Sequence, residues 1–234
     1  MKLLSDLQAI ALDVGGTLID PRPSVGQVYA EVAAEHGFPG HDPQALNRSF
    51  GDAWRTKTNF DYSRESWLKL VYQTFAQVSE PSGGVSFFSQ LYERFAHPQA
   101  WRIYDDVVPT LEWLREKGLA LAVISNWDDR LRSLLTRMQL DRYFEVLVIS
   151  AEAGLQKPSR EIFKCALEQL GSPPETVLHV GGSPVEDRDG AAQAGLQSLL
   201  IDRDQTGVGK GCISSLSELK TIIDTTGVLS NTNA

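Results

Sequence analysis

The stretch ALDVGGTLID, residues 11–20, decides the fold of this protein. An apolar run that begins at residue 9 reaches Asp13, and Gly15, Gly16 and Thr17 follow. A short continuous apolar run is typical of a strand buried on both faces. A carboxylate at the carboxyl end of such a strand lies where open α/β sheets bind their ligands. The stretch therefore predicts a first strand of a parallel sheet, with Asp13 as the first candidate for chemistry.

Similar apolar runs recur along the chain. After the first run at 9–14, strands are predicted at 119–125, 144–150, 176–182 and 196–201. Helical spacing of apolar residues lies between them, at 107–117, 128–138, 159–170 and 184–194. Alternating strands and helices indicate a doubly wound, mostly parallel α/β sheet.

One segment interrupts this alternation. Between residues 21 and 101 aromatic and polar residues recur at helical spacing without convincing strands, and EPSGG at 80–84 is the clearest internal loop. We expect a helical cap domain at 21–101, inserted into a core domain formed by 1–20 and 102–225. The remaining segment, 226–234, is a polar tail.

Composition limits the classes of partner. The 234 residues carry a formal net charge of −8, which argues against nucleic acid and anionic membrane surfaces as partners. The two cysteines, Cys165 and Cys212, have no metal-ligand spacing and form no disulfide framework. No apolar run is long enough to span a membrane, and the N-terminal residues make a poor signal peptide. We expect a soluble cytoplasmic protein that binds a small anionic substrate or a protein partner.

Polar residues follow the other predicted strands as well. Ser125 and Asn126 end the second strand, Lys157 follows the third, and Glu186 and Asp187 follow the fourth. Because carboxyl ends of parallel strands share one edge of a sheet, these side chains are expected to converge with the first carboxylate. A carboxylate nucleophile facing an anionic substrate suits this set.

The backbone that follows the first strand is a second candidate for anion binding. The amides of Gly15, Gly16 and Thr17, with the Ser125 hydroxyl, the Asn126 amide and the Lys157 ammonium, are expected to cradle phosphate or another oxyanion.

The four motifs in this order resemble the haloacid dehalogenase (HAD) superfamily, and specifically its subfamily IA with a helical C1-type cap. The segments LAVISNWDDRL, SAEAGLQKPSREIFKCALEQ and LHVGGSPVEDRDGAAQAG extend the resemblance over nearly the whole chain, toward a subgroup with plant and cyanobacterial members. The resemblance implies a Rossmann-like core, an inserted cap and hydrolase activity of the phosphatase type. It assigns catalytic roles to Asp13 as nucleophile and to Ser125, Lys157 and Asp187.

The sequence departs from the HAD pattern at two positions. The superfamily's general acid, two residues after the nucleophile, is replaced by Gly15, and the main metal-binding aspartate of the acidic loop is replaced by Gly182. A positioned general acid contributes about 10²- to 10⁴-fold in rate. The resemblance leaves Asp13, the Gly15 carbonyl and Asp187 as ligands of Mg²⁺, so we expect at most a weak magnesium site. Both replacements predict a poor phosphatase.

Two alternatives remain open at this point. The 2-haloacid dehalogenases of the superfamily expel halide without Mg²⁺ or a second acid, although no arginine in the cap can be identified to hold the substrate carboxylate. A catalytically silent protein with a binding, regulatory or assembly role would also tolerate both glycines.

Structural roles are open for several of these residues. Asp13 could cap a turn, and Ser125 with Asn126 could cap the next helix. Asp187 could orient Lys157 or favour a helix N-terminus. Three further residues are interpreted from their positions: Glu186 as part of a capping box with Ser183, His179 as a core histidine, and Trp127 as an aromatic that shapes the mouth of the site.

Overall fold

The computed structural model describes residues 6–78, 86–204 and 211–225; the expected loop at 80–84 and the tail at 226–234 lie outside them. The chain divides into two compact units, one of Met1–Ile19 with Ile103–Ala234 and one of Asp20–Arg102.

Strands occupy seven short segments of the described residues: β1 (Ala9–Leu12), β2 (Ile19–Pro21), β3 (Trp101–Ile103), β4 (Ala120–Ser125), β5 (Val146–Ile149), β6 (Val177–Gly181) and β7 (Gln197–Leu200). Five of them form a sheet of order β5-β4-β1-β6-β7, and all its pairings are parallel. The predicted doubly wound parallel sheet is therefore confirmed. Because β1 lies at its centre, the residue that follows β1 lies at the middle of the sheet's carboxyl edge.

The centre of the sheet is fully buried. All four residues of β1 are inaccessible to solvent, and buried apolar side chains from β4, β5, β6 and the following helices pack around them. Each fully buried Val, Leu or Ile side chain contributes about 1.5–3 kcal/mol relative to an exposed one. This rigid core fixes the strand ends.

Helices lie at α1 (Val25–Glu35), α2 (Pro43–Thr56), α3 (Arg64–Ala76), α4 (Phe88–Arg94), α5 (Val107–Glu116), α6 (Arg130–Arg137), α7 (Ser150–Ala153), α8 (Arg160–Leu170), α9 (Gly190–Gln193) and α10 (Glu218–Thr225). The expected helix at 128–138 begins later, at Arg130. The reason is local: the Asp128 carboxylate accepts hydrogen bonds from the Arg130 backbone and guanidinium, so Asp128 stays outside the helix.

The structure also differs from the single helix expected at 184–194. A π-helical turn covers Pro184–Asp189 before α9 begins. The Ser183 carbonyl accepts from the amides of both Asp187 and Arg188, which widens the first turn. The Ser183 hydroxyl accepts from the Glu186 amide, so Ser183 caps this turn as the sequence indicated.

The inserted unit is built from α1 to α4. Its core is rich in aromatic side chains, among them Tyr29 and Phe75, whose rings stack at a centroid distance of 5.6 Å. Ser24 caps α1 and Asp42 caps α2, with Pro43 at the first helical position. Packing of the apolar helix faces, rather than propensity, holds such a small bundle together.

The expectation that this segment contains no strands was wrong at its two ends. β2 and β3 pair there as a two-stranded ribbon, and the Arg22 amide donates to the Ala100 carbonyl beside it. The strands have three residues each, too few for an alternating pattern to be visible in the sequence. Within the described ranges, no helix combines the length and apolar character needed to cross a membrane.

Candidate active site

Asp13 is the first residue after β1, and Ser125 is the last residue of β4, the neighbouring strand. The Ser125 hydroxyl donates to Oδ1 of Asp13 at 2.9 Å. The Asp13 amide donates to the Val180 carbonyl of β6, which continues the sheet pairing past the strand end. Both residues are therefore held by the central strands, as the sequence predicted for a shared carboxyl edge.

Lys157 lies between two carboxylates. Its Nζ is 2.8 Å from Oδ1 of Asp13 and 2.5 Å from Oδ1 of Asp187. The lysine and Asp187 side chains are 1% and 3% exposed, whereas Asp13 is 15% exposed. The nucleophile candidate is thus the only one of these three side chains with appreciable access to solvent.

Burial and charge act in opposite directions on this cluster. Burial of the Lys157 ammonium lowers its pKa, but the carboxylates of Asp13 and Asp187 outweigh burial and hold the pKa above the ordinary lysine value. Burial raises the pKa of Asp187, and the Lys157 charge with the His179 hydrogen bond outweighs burial and holds that pKa well below its usual range. The geometry therefore keeps Lys157 charged and Asp187 ionised.

Asp187 has further partners that fix its orientation. Its Oδ2 accepts from the Ser183 amide at 2.8 Å, and its Oδ1 lies 2.9 Å from Nε2 of the fully buried His179. The sequence identified His179 only as a core histidine. A weak signal was available, since His179 belongs to the strand that leads into the acidic loop and a buried polar side chain needs a partner.

Asn126 has a different partner from the expected one. Its Nδ2 donates to the Lys157 carbonyl at 2.9 Å, and its Oδ1 accepts from the Lys157 amide at 2.7 Å. The side chain therefore anchors the lysine backbone across 31 residues of sequence. The expected anion contact is not needed to explain this residue.

The loop after Asp13 is bonded internally. The Gly16 amide donates to the Ile19 carbonyl and the Thr17 amide donates to the Val14 carbonyl, so neither points into an open cradle. Thr17 is fully buried, and its carbonyl accepts from the Arg203 guanidinium at 2.5 Å. Of the three expected amides, the geometry leaves only that of Gly15 for an anion.

Gly15 borders a large aromatic side chain. A Cβ added to Gly15 would lie 3.1 Å from Cζ3 of Trp127 and 3.9 Å from its Cη2. Gly15 is exposed and Trp127 is half-buried. The edge of the Trp127 indole thus lies close against the point where a Cβ at position 15 would stand.

The donor set does not fit a Mg²⁺ ion. Among the described residues, no three His, Cys, Asp or Glu side chains are grouped where they could hold a metal. Oδ1 of Asp13 is occupied by Ser125 and Lys157, and both oxygens of Asp187 accept hydrogen bonds from other groups. Gly182 supplies no carboxylate. Mg²⁺ usually relies on one or two protein carboxylates, and the hydrogen bonds of this cluster occupy three of the four carboxylate oxygens of Asp13 and Asp187.

The arrangement suits one chemical task. In the part of the chain that the structure describes, the hydrogen bonds to the Asp13 carboxylate end on Oδ1, which leaves Oδ2 to act as a nucleophile. Ser125 and Lys157 hold the carboxylate in one orientation, which lowers the entropic cost of an attack. The residue two positions after Asp13 is Gly15, which has no acidic side chain.

Comparison with known proteins gives consistent matches. A family model described as haloacid dehalogenase-like hydrolase matches residues 7–195. A human relative, haloacid dehalogenase-like hydrolase domain-containing protein 3, is 34% identical over 206 residues, which cover 83% of this chain and 82% of the relative. A phosphoserine phosphatase from Thermus thermophilus is 32% identical over 134 residues, 56% of this chain and 54% of the relative.

Solved structures give the same picture for the fold. The putative HAD-hydrolase YfnB from Bacillus subtilis superposes with a TM-score of 0.76 and 18% identity, over 93% of this chain and 99% of that one. At this identity the likeness concerns the fold alone.

Proposed function

Because this chain belongs to the haloacid dehalogenase-like hydrolase family, we propose that it is a slow phosphatase of small phosphorylated metabolites that uses Asp13 as its nucleophile. The family membership confirms the resemblance drawn from the four sequence motifs. Phosphatase activity, the substrate and the effect of the two glycines belong to the proposal.

One observation carries the proposal. Oδ1 of Asp13 accepts from the Ser125 hydroxyl at 2.9 Å and from the Lys157 ammonium at 2.8 Å, while the side chain keeps a solvent-accessible fraction of 15%. A turn-capping aspartate would need neither partner. A carboxylate oriented by a hydroxyl and a buried ammonium at the centre of the sheet's edge is arranged for attack on a bound electrophile.

The reaction proceeds in two displacements. Oδ2 of Asp13 forms a bond to phosphorus as the bond between phosphorus and the leaving oxygen breaks, and the electron pair leaves with that oxygen. Water then attacks phosphorus, which releases inorganic phosphate and a proton and restores the Asp13 carboxylate. The Lys157 ammonium stabilises charge beside the reacting carboxylate throughout.

No step of this mechanism is routed through Mg²⁺. The available carboxylates are already paired with Lys157, and Gly182 removes a ligand. Without a metal ion and a general acid we expect slow turnover, since a metal ion supplies several kcal/mol of charge stabilisation in phosphoryl chemistry.

One observation favours the catalytically silent alternative. The carboxylates of Asp13 and Asp187 both lie within hydrogen-bonding distance of the Lys157 ammonium. The formal charge of this cluster is therefore −1, which disfavours the binding of an anion beside it. A protein retained for binding would conserve the buried ion pairs for stability without turning over phosphate. The dehalogenase alternative predicts halide release from 2-haloacids.

The test is release of inorganic phosphate from a panel of phosphate esters, with halide release from 2-haloacids as a second assay. The native protein is compared with Asp13→Asn, whose amide keeps the size of the side chain and removes the nucleophile. Phosphate release that disappears in Asp13→Asn supports the proposal. Phosphate release that persists in Asp13→Asn overturns the proposal. Halide release by the native protein identifies a dehalogenase, and absence of activity in both assays supports the binding role.

A further inference from the structure

We infer that Arg203 is a positioning residue of this site, because its guanidinium holds the loop of residues 14–19 that directly follows Asp13. The inference rests on the proposed function and deepens it, since it assigns part of the catalytic geometry to a residue beyond β7. Arg203 lies 186 residues along the chain from the carbonyl that it holds.

The nucleophile loop, residues 14–19, is closed by its own hydrogen bonds. The Val14 carbonyl accepts from three amides of the loop, those of Thr17, Leu18 and Ile19. The Gly16 amide donates to the Ile19 carbonyl, and Gly16 has a φ of 70°, a left-handed conformation that glycine adopts without strain. The Gly15 amide takes part in none of these bonds, so the shape of the loop decides where that amide points.

Arg203 holds this loop from outside. Its Nη2 donates to the Thr17 carbonyl at 2.5 Å, and its Nη1 lies 2.8 and 2.7 Å from the two carboxylate oxygens of Asp106. The guanidinium carbon lies 4.0 Å from the centre of the Tyr104 ring, a distance at which a cation and an aromatic face attract each other. The Arg203 and Asp106 side chains are 9% and 15% exposed, so solvent ions screen this pair less than an exposed one.

Asp106 gives Arg203 a fixed support. Its Oδ2 also accepts from the Ser215 hydroxyl and from the Leu216 amide, both at 2.6 Å. Burial raises the pKa of the Asp106 carboxyl, but the hydrogen bonds from Ser215 and Arg203 outweigh burial and hold that pKa below its ordinary value. Asp106 therefore stays ionised, and the planar guanidinium is held between its carboxylate and the Thr17 carbonyl.

A second contact ties the nucleophile loop to the same support. The Tyr104 amide donates to the Leu18 carbonyl at 3.2 Å, and the Tyr104 ring is the one beside the guanidinium. Two consecutive carbonyls of the loop are thus attached to the segment 104–106, one directly and one through Arg203. Loss of Arg203 would remove a donor from the carbonyl of the fully buried Thr17, and because an unpaired buried carbonyl is unfavourable, we expect the loop to rearrange.

The shape of the loop matters for the proposed first displacement. The phosphoryl oxygens carry negative charge beside Asp13, and a preorganised amide such as that of Gly15 stabilises this charge in the transition state. Ser125 and Lys157 act on the Asp13 side chain, whereas Arg203 acts on the backbone beside it. An interaction made in the transition state affects kcat rather than KM. We therefore expect loss of Arg203 to lower kcat.

The experiment compares the native 234-residue chain with Arg203→Ala and Arg203→Lys. The kcat and KM for 4-nitrophenyl phosphate are measured, with Asp13→Asn as the blank, at a temperature where urea denaturation shows the proteins to be folded. Amide hydrogen exchange of peptides covering 14–19 is measured on the same proteins, with peptides covering β4 as reference. Arg203→Lys keeps the positive charge and decides the test if Arg203→Ala does not fold.

Arg132→Ala is the matched control. Arg132 also pairs with a carboxylate, that of Glu152, and its Nη2 also donates to a backbone carbonyl, that of Leu147 in β5. These contacts lie at an edge strand of the sheet rather than at the nucleophile loop. We expect Arg132→Ala to leave kcat, KM and the exchange of 14–19 unchanged.

In Arg203→Ala we expect kcat to fall by about 10- to 100-fold, the effect of a displacement of about 1 Å, with KM nearly unchanged. Arg203→Lys should lose less, because its single ammonium keeps the charge but not the guanidinium fork. Exchange at 14–19 should become faster in both variants, and exchange in β4 should not change.

Two kinds of failure are distinguishable. If native turnover depends on Asp13, an unchanged kcat in the folded Arg203 variants, or an equal fall in Arg132→Ala, overturns the inference and leaves the proposed function intact. Absence of Asp13-dependent turnover in the native protein overturns the proposed function and the catalytic part of the inference. Exchange decides the structural part in either case, since unchanged exchange at 14–19 would show that Arg203 does not hold the loop.

Discussion

The Nζ of Lys157 lies 2.8 Å from Oδ1 of Asp13, although 144 residues separate them in the sequence. The ammonium is almost fully buried, and Asp187 shares it. A buried charge of this kind is stable only while its partners are present, so the contact joins the chemistry of the site to the stability of the fold.

Replacement of Lys157 by methionine, which has a similar length and no charge, should leave Asp187 buried without its counter-ion. We expect Lys157→Met to lose about 3–5 kcal/mol of unfolding free energy, measured by urea denaturation with a two-state fit. Lys164→Met, at an exposed position of α8, is the control and should change stability by less than about 0.5 kcal/mol. A Lys157→Met protein as stable as the native one would contradict the buried ion pair.

Stability should also depend on pH through Asp187. Its native pKa is lowered, so its contribution is present above the unfolded value of about 3.9 and is lost as the pH falls through the native pKa. Lys157 has a raised native pKa, so its contribution is present below about 10.4 and is lost as the pH rises through the native value.

Asp187→Asn should therefore be less stable than the native protein at neutral pH, and the difference should shrink as the pH is lowered below about 4. Unfolding free energies from urea titrations at a series of pH values measure this. Asp129→Asn removes an exposed carboxylate and serves as control. A difference that stays constant down to acid pH would argue against a lowered pKa at Asp187.

Restoring an acid at position 15 should fail while the indole is in place. In Gly15→Asp the new Cβ would lie 3.1 Å from Trp127, so the carboxyl group is displaced and hydrolysis of ethyl phosphate should rise little. In Gly15→Asp/Trp127→Ala the space is free, and the rate should rise toward the general-acid contribution of about 10²- to 10⁴-fold. Gly15→Ala/Trp127→Ala controls for the added space alone. Equal rate increases in Gly15→Asp and in Gly15→Asp/Trp127→Ala would show that the Trp127 ring does not obstruct an aspartate at position 15.

Restoring the loop carboxylate should meet no such obstacle. A Cβ on Gly182 would lie 3.6 Å from the Ile201 carbonyl, an ordinary contact, so Gly182→Asp should fold normally. We expect a chelator to leave native turnover unchanged, because the native carboxylates are paired with Lys157, and Gly182→Asp to gain Mg²⁺-dependent turnover. Gly182→Asn, without charge, is the control. Native turnover abolished by a chelator would contradict the proposed metal-independent steps.

The sequence predicted the five-stranded parallel sheet because apolar runs and helical spacing are local signals, and each run was long enough to be recognised. It also indicated that Asp13, Ser125, Lys157 and Asp187 converge, because they follow strands whose carboxyl ends share one edge. The β2–β3 ribbon was missed because three-residue strands carry no pattern. The π-helical turn was missed because its cause is a carbonyl of Ser183 that accepts two amides.

The sequence by itself determined which groups this protein has: one aspartate after the first strand, and glycines at positions 15 and 182. Only the tertiary structure decided what those groups contact. The side chain of Asn126 is hydrogen-bonded to the Lys157 backbone, His179 lies against Asp187, and the edge of the Trp127 ring lies beside Gly15. The physical reason is that residue types and periodicity are set along the chain, whereas hydrogen bonds and steric contacts depend on distances between segments far apart in sequence.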